Sequence, residues 1–175
     1  KTLGEEDKGN LMIAKMDDKL AEIKEKVDNI KPERRKKLVL ISLMISYGGK
    51  GCTFDDICKY AGVINGVSDA GLHNGQLLTK EMLVDINPDL LIMPVYNDHK
   101  TFDIEKYNKE FLEDPALKTL NAVKEKRFFY PREGYIYNSS QDIVFGVQEV
   151  ARAAYGSLFD QPENCHISVV AEVEK

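Results

Sequence analysis

The sequence predicts an α/β fold: a three-layer sandwich with a small, mainly parallel sheet flanked by helices, preceded by one long helix. Three observations carry this. Strand-length apolar or aromatic runs recur at residues 38–45, 90–93 and 127–130. Helical stretches separate each run from the next, an order that joins parallel strands by right-handed crossovers. The first run has almost no polar alternation, as a strand covered on both faces requires.

The elements follow in order. Over residues 10–30, Ile13, Met16, Leu20, Ile23, Val27 and Ile30 recur at spacings of three and four, which predicts an amphipathic helix that Pro32 ends. The strand at 38–45 runs into the turn cluster 47–51, and Thr53 is the expected N-cap of a helix over 54–60. Residues 63–78 read as a long Gly- and Asn-rich loop. Thr79 caps a helix over 80–86, and Asn87-Pro88-Asp89 turns the chain into the strand at 90–93. A polar aromatic loop, a helix over 104–112 and a helical turn over 115–120 lead to the strand at 127–130. Residues 141–155 form the last helix, with Ile143, Val144, Val147, Val150, Ala151 and Ala154 inward. Residues 166–173 alternate well enough for a strand, or for an extended arm that pairs with another chain.

At 175 residues, with 43% hydrophobic and 30% charged residues, the chain has the length of one domain and the composition of a folded one. A net charge of -5 speaks against a nucleic-acid surface, and the basic run 31–37 reads as a solvated connector. No apolar stretch has the length of a membrane span. Any export signal or lipid anchor would lie upstream of Lys1. Cys52, Cys58 and Cys165 lack metal-ligand spacing and read as free thiols. Residues 47–53 form a Gly-rich strand-to-helix loop without the spacing of a phosphate cradle. Cys52 with His73 or His99 lacks an orienting third group, so the chain reads as no enzyme.

Four strings stand in a particular order: the long helix leading into 38–45; Lys59-Tyr60-Ala61-Gly62-Val63-Ile64-Asn65; Leu78-Thr79-Lys80-Glu81-Met82-Leu83 continued by Asn87-Pro88-Asp89-Leu90-Leu91-Ile92; and Asn121-Ala122-Val123-Lys124 continued by Arg127-Phe128-Phe129-Tyr130-Pro131. Together, over residues 10–156, they resemble the metal-chelate class of substrate-binding proteins that serve ABC importers, whose two α/β lobes are joined by a long helix. The resemblance implies an inter-lobe helix over 1–31, a C-terminal lobe over 32–157 and an extension over 158–175, with the N-terminal lobe absent. It implies an extracytoplasmic location and ABC permease subunits as partners. Attachment to the membrane would be through an upstream lipid anchor only. The transported ligand would be a ferric siderophore, alternatively haem or cobalamin, with no intrinsic cofactor. It further implies that Glu81, exposed in the first turn of its helix, docks on permease arginines.

In such sheets ligands meet the loops beyond the strand C-termini. The expected contacts are Tyr47 and Lys50 from the first loop, Tyr96, Asn97 and His99 from the second, and Arg132, Tyr135 and Tyr137 from the third. Aromatic faces and cations in this mixture suit bulky anionic chelates. Haem would want an axial group, which His73, His99 or Tyr96 supplies. A lone lobe with half a cleft should bind weakly, and the long helix or the tail could pair two chains. A flavodoxin- or receiver-like signalling domain has the same element order and is the alternative from another class.

Overall fold

A computed structural model describes residues 4–44, 46–95, 102–137 and 139–169. Helix α1 (Glu6–Asp28) leads into strand β1 (Lys37–Leu40), followed by α2 (Thr53–Tyr60), β2 (Ile64–Asn65), α3 (Gly66–Asp69), α4 (Lys80–Ile86) and β3 (Leu90–Ile92). Then come α5 (Ile104–Glu113), α6 (Asn121–Lys124), β4 (Phe128–Phe129), α7 (Glu133–Ile136) and α8 (Ile143–Tyr155). The sheet has the order β2-β1-β3-β4, and every pairing is parallel. Leu38 lies opposite Leu90, Leu40 opposite Ile92, and Leu91 opposite Phe128.

Because side chains alternate along a strand, this register sorts them onto two faces. Leu38, Leu40, Leu90 and Ile92 join Ile23 and Val27 of α1, Phe54 and Ile57 of α2, and Val147, Val150 and Ala151 of α8. Val39, Ile41, Leu91 and Met93 face the other way, onto Leu83 of α4, Leu117, Leu120 and Ala122. Two cores on opposite faces of one sheet make the three layers, and they explain the unbroken apolar run at β1.

The structure corrects the expected elements in five places. The apolar run at 38–45 is only half strand: the ladder ends where the Ile41 N–H donates to the Ile92 carbonyl, and Met44 is 64% exposed. Hydrophobicity marks what is covered in the sheet, and nothing in it marks where pairing stops. Thr53 is the first residue of α2, and the cap position belongs to Cys52, which makes no side-chain cap. The loop expected over 63–78 contains β2 and α3, since a two-residue edge strand is too short to show a period. The stripe of α1 holds at Met16, Leu20, Ile23, Val27 and Ile30 and differs at its first position, where Met12 packs inward and Ile13 is 58% exposed. Finally, the described part of the tail forms no strand. Ile167 is buried in a third cluster with Tyr135, Val144 and Phe145, against Met12 and Met16 of the same chain. Residues 170–173 of the expected strand lie outside the described residues.

Thr79 does cap α4, its hydroxyl accepting from the Met82 N–H at 3.2 Å. Asn87 ends that helix in the left-handed region at φ 43°, and its side chain accepts from the Asn121 N–H at 3.0 Å.

Candidate functional site, the wall beyond the strand ends

Parallel strands deliver their following loops to one end of the sheet, so the segments after β1, β2, β3 and β4 share a wall. The segments after β1 and β2 are fastened to each other by backbone bonds. The Lys50 N–H donates to the Leu72 carbonyl at 2.9 Å, the Asn74 N–H to the Lys50 carbonyl at 3.0 Å, and the Gly75 N–H to the Ser46 carbonyl at 2.7 Å. Lys50 and His73 are thereby partners in a parallel bridge, and both side chains are exposed. Gly49 permits this approach, because a Cβ there would lie 2.7 Å from the His73 carbonyl carbon.

A buried polar pair supports the same loop from beneath. The Asn65 amide donates to the Gly48 carbonyl at 2.9 Å and to Asp55 Oδ1 at 3.0 Å, while its oxygen accepts from the Val67 N–H at 3.2 Å and caps α3. Asp55 Oδ2 accepts from the Gly51 N–H at 3.3 Å and meets Lys59 Nζ at 3.1 Å. Burial alone would raise the Asp55 carboxyl, but Lys59, the Gly51 N–H and Asn65 outweigh it and hold the group below its ordinary range. The backbone of Lys50 therefore stands on a braced loop.

Tyr47 is half-buried against the main core, and burial pushes its hydroxyl up. It borders a small hollow of about 80 Å³ at the end of β1, with Ser42, Met44 and Leu78. Tyr96, Asn97 and His99 lie outside the described residues. A broader hollow of about 650 Å³ lies at the exits of β3 and β4, lined by Pro94, Val95, Tyr130, Ile104, Asn108 and Leu112.

In the third segment Arg132 is half-buried, not free. Its backbone N–H donates to Glu149 Oε2 at 3.0 Å, its Nε lies 3.6 Å from Oε1, and its Nη1 donates to Asn164 Oδ1 at 3.4 Å. Tyr135 points into the protein: 7% of it is exposed, its ring packs against Phe145, and its hydroxyl donates to the Cys165 carbonyl at 2.6 Å. Tyr137 is half-buried against the main core. Lys50, Tyr47 and Arg132 thus lie in segments that leave the same end of the sheet, and Tyr135 turns inward.

Glu149 is buried on α8, and burial raises its carboxyl despite Arg132 and Arg152. Sequence reasoning passed over Asp55, Asn65 and Glu149. Glu149 did leave a signal, a carboxylate within the apolar run of α8, since a charge there requires a buried partner. Glu81 is exposed in the first turn of α4, and its own backbone N–H and the Thr79 hydroxyl hold its carboxyl below the ordinary range. Cys52 and Cys58 are buried, and burial with the Asp55 charge pushes the Cys58 thiol well up, away from nucleophilic use. Among the described residues no cluster of His, Cys, Asp or Glu has the makings of a metal site, and no helix is long and apolar enough to cross a membrane.

An all-parallel sheet covered by helices on both faces is an α/β unit of the kind whose ligands meet the loops beyond the strand ends. The periplasmic binding protein family model matches residues 1–133, and the chain belongs to that family, a family of binding proteins and not of enzymes. Solved structures with the same fold include the periplasmic heme-binding protein RhuT from Roseiflexus sp. RS-1, at 18% identity and TM-score 0.72, covering 88% of this chain and 58% of that one. A periplasmic binding protein from Veillonella parvula matches at 23% identity and TM-score 0.67, over 84% of this chain and 50% of that one. An ABC-type Fe3+-hydroxamate transport system protein from Saccharomonospora viridis matches at 18% identity and TM-score 0.63, over 85% and 49%. The chain therefore spans about half the length of these structures. No curated protein matches the sequence.

Proposed function

We propose that this chain is the C-terminal lobe of a substrate-binding protein that captures a ferric siderophore or related anionic metal chelate outside the cytoplasm and passes it to an ABC permease. The observation that carries this is the braced Lys50 loop at the C-terminal end of an all-parallel sheet, in a chain of the periplasmic binding protein family. An ammonium carried on a braced backbone, at the sheet end that also carries Tyr47, would offer an anionic chelate both charge and contact area. Helix α1 would be the spine toward a second lobe that supplies the facing wall. Glu81, exposed and ionised at the head of α4, would meet a permease arginine.

The direct test is native mass spectrometry of the full-length protein from iron-limited cells. A ferric siderophore adduct that weakens in Lys50→Glu supports the reading, and a protein that carries no chelate and binds none on titration refutes it. Haem is the second reading, favoured by the exposed His73 beside Lys50 and by the heme-binding RhuT neighbour. A Soret band on haemin titration, lost in His73→Ala, would select it. Glu81→Lys should abolish permease stimulation and leave ligand affinity intact.

A further inference from the structure

The tail beyond α8 engages more of the protein than a loose terminus would. Ile167 is 6% exposed, sealed between Tyr135, Val144 and Phe145 on one side and Met12 and Met16 of α1 on the other. Asp142 holds it by both carboxylate oxygens: Oδ1 accepts from the Ile167 N–H at 2.9 Å, and Oδ2 lies 2.6 Å from His166 Nδ1. Asp142 occupies the cap position of α8 yet makes no side-chain cap, so its carboxylate serves the tail and not the helix. Two residues earlier the tail grips the β4–α8 segment. The Cys165 carbonyl accepts from the Tyr135 hydroxyl, and Asn164 accepts from Arg132, whose guanidinium also lies 5.8 Å from the Tyr135 ring. On the far side Lys15 of α1 donates to the Ser168 carbonyl.

We infer that residues 162–169 are a positioning strap, which ties the segment bearing Arg132 to helix α1 and so sets where the third part of the ligand wall stands relative to the inter-lobe spine. The inference rests on the reading of that segment as ligand wall. In it Asp142, Asn164 and Ile167 act through Arg132 and touch no ligand themselves.

Hydrogen exchange on the full chain and on Asp142→Ala tests it. The Ile167 amide loses its acceptor and should exchange about tenfold faster or more, and the Arg132 and Tyr135 amides should quicken with it, while Leu91 and Met93 in the sheet hold their rates. Tail amides that quicken alone, with residues 132–135 unchanged, would overturn the strap. Asn164→Gly, which leaves the buried cluster whole and suits the left-handed backbone there at φ 59°, should quicken Arg132 with little change in melting temperature, so a folding defect in the first variant does not decide the outcome. Ferrioxamine B and haemin are the ligand probes. If the parent binds either, Asp142→Ala should weaken it about threefold or more, and unchanged affinity would refute positioning. If the parent binds neither, the ligand reading fails, and the exchange data still decide whether the strap holds the segment.

Discussion

Replacing Asn65 with alanine removes four hydrogen bonds from one buried side chain, and its cost can be worked from their partners. The Val67 and Ser68 N–H groups lose their cap acceptor, which costs about 1 kcal/mol. The buried Gly48 carbonyl and Asp55 Oδ1 lose a donor that water does not readily replace, which adds about 1–3 kcal/mol. The expected loss is roughly 2–4 kcal/mol, and for a chain of this size that lowers the melting temperature by about 5–15 °C. Urea unfolding followed by far-UV circular dichroism measures the first quantity and a thermal scan the second. Exchange at Lys50 and Asn74 should also rise, because the loop above loses its brace. Asn65→Asp keeps the cap acceptor but sets a second carboxylate against Asp55, so its deficit should shrink as the pH is lowered. A loss below about 1 kcal/mol for Asn65→Ala would show that the polar pair does not support the loop.

Gly49→Ala places a methyl group against the backbone of Leu72 and His73 and should cost about 1–3 kcal/mol, with faster exchange at Lys50 as its local sign. Glu149 has its carboxyl raised in the folded state, so its contribution is present below the ordinary glutamate range and lost as pH rises through the folded value. Unfolding free energies across that range should therefore shift in favour of Glu149→Gln, relative to the parent, as pH increases. A shift the other way contradicts the burial argument. The register of α1 is tested by a pair: Ile13→Lys should change stability by no more than about 0.5 kcal/mol, whereas Ile23→Ala, fully buried under the sheet, should cost about 2–5 kcal/mol.

Much of the fold was legible because burial on both faces leaves a direct trace. Residues 38–41 and 90–93 are apolar without alternation, and that alone implied a covered sheet with helices on either side. Helix ends with their own chemistry were also readable, as at Thr79, whose hydroxyl caps a helix from one position away. Only the start of the α1 stripe was misread, because Met12 and Ile13 stand side by side and both lie at helical spacing from Met16. Which of the two packs inward depends on Ile167, a residue more than 150 positions later.

The candidate wall was legible only as residue types at strand exits. Lys50 lies where its place after β1 implied, but Tyr135, equally well placed in the sequence, turns inward because the Cys165 carbonyl and the Phe145 ring claim both its ends. Residue order determined three of the four strands, the helical layers and the family strings, since each depends on neighbours within a few turns. Only the tertiary structure decided which side chains reach solvent, that His73 stands beside Lys50, and that the tail lies along α1. These depend on contacts between distant segments, and no local pattern in the chain encodes them.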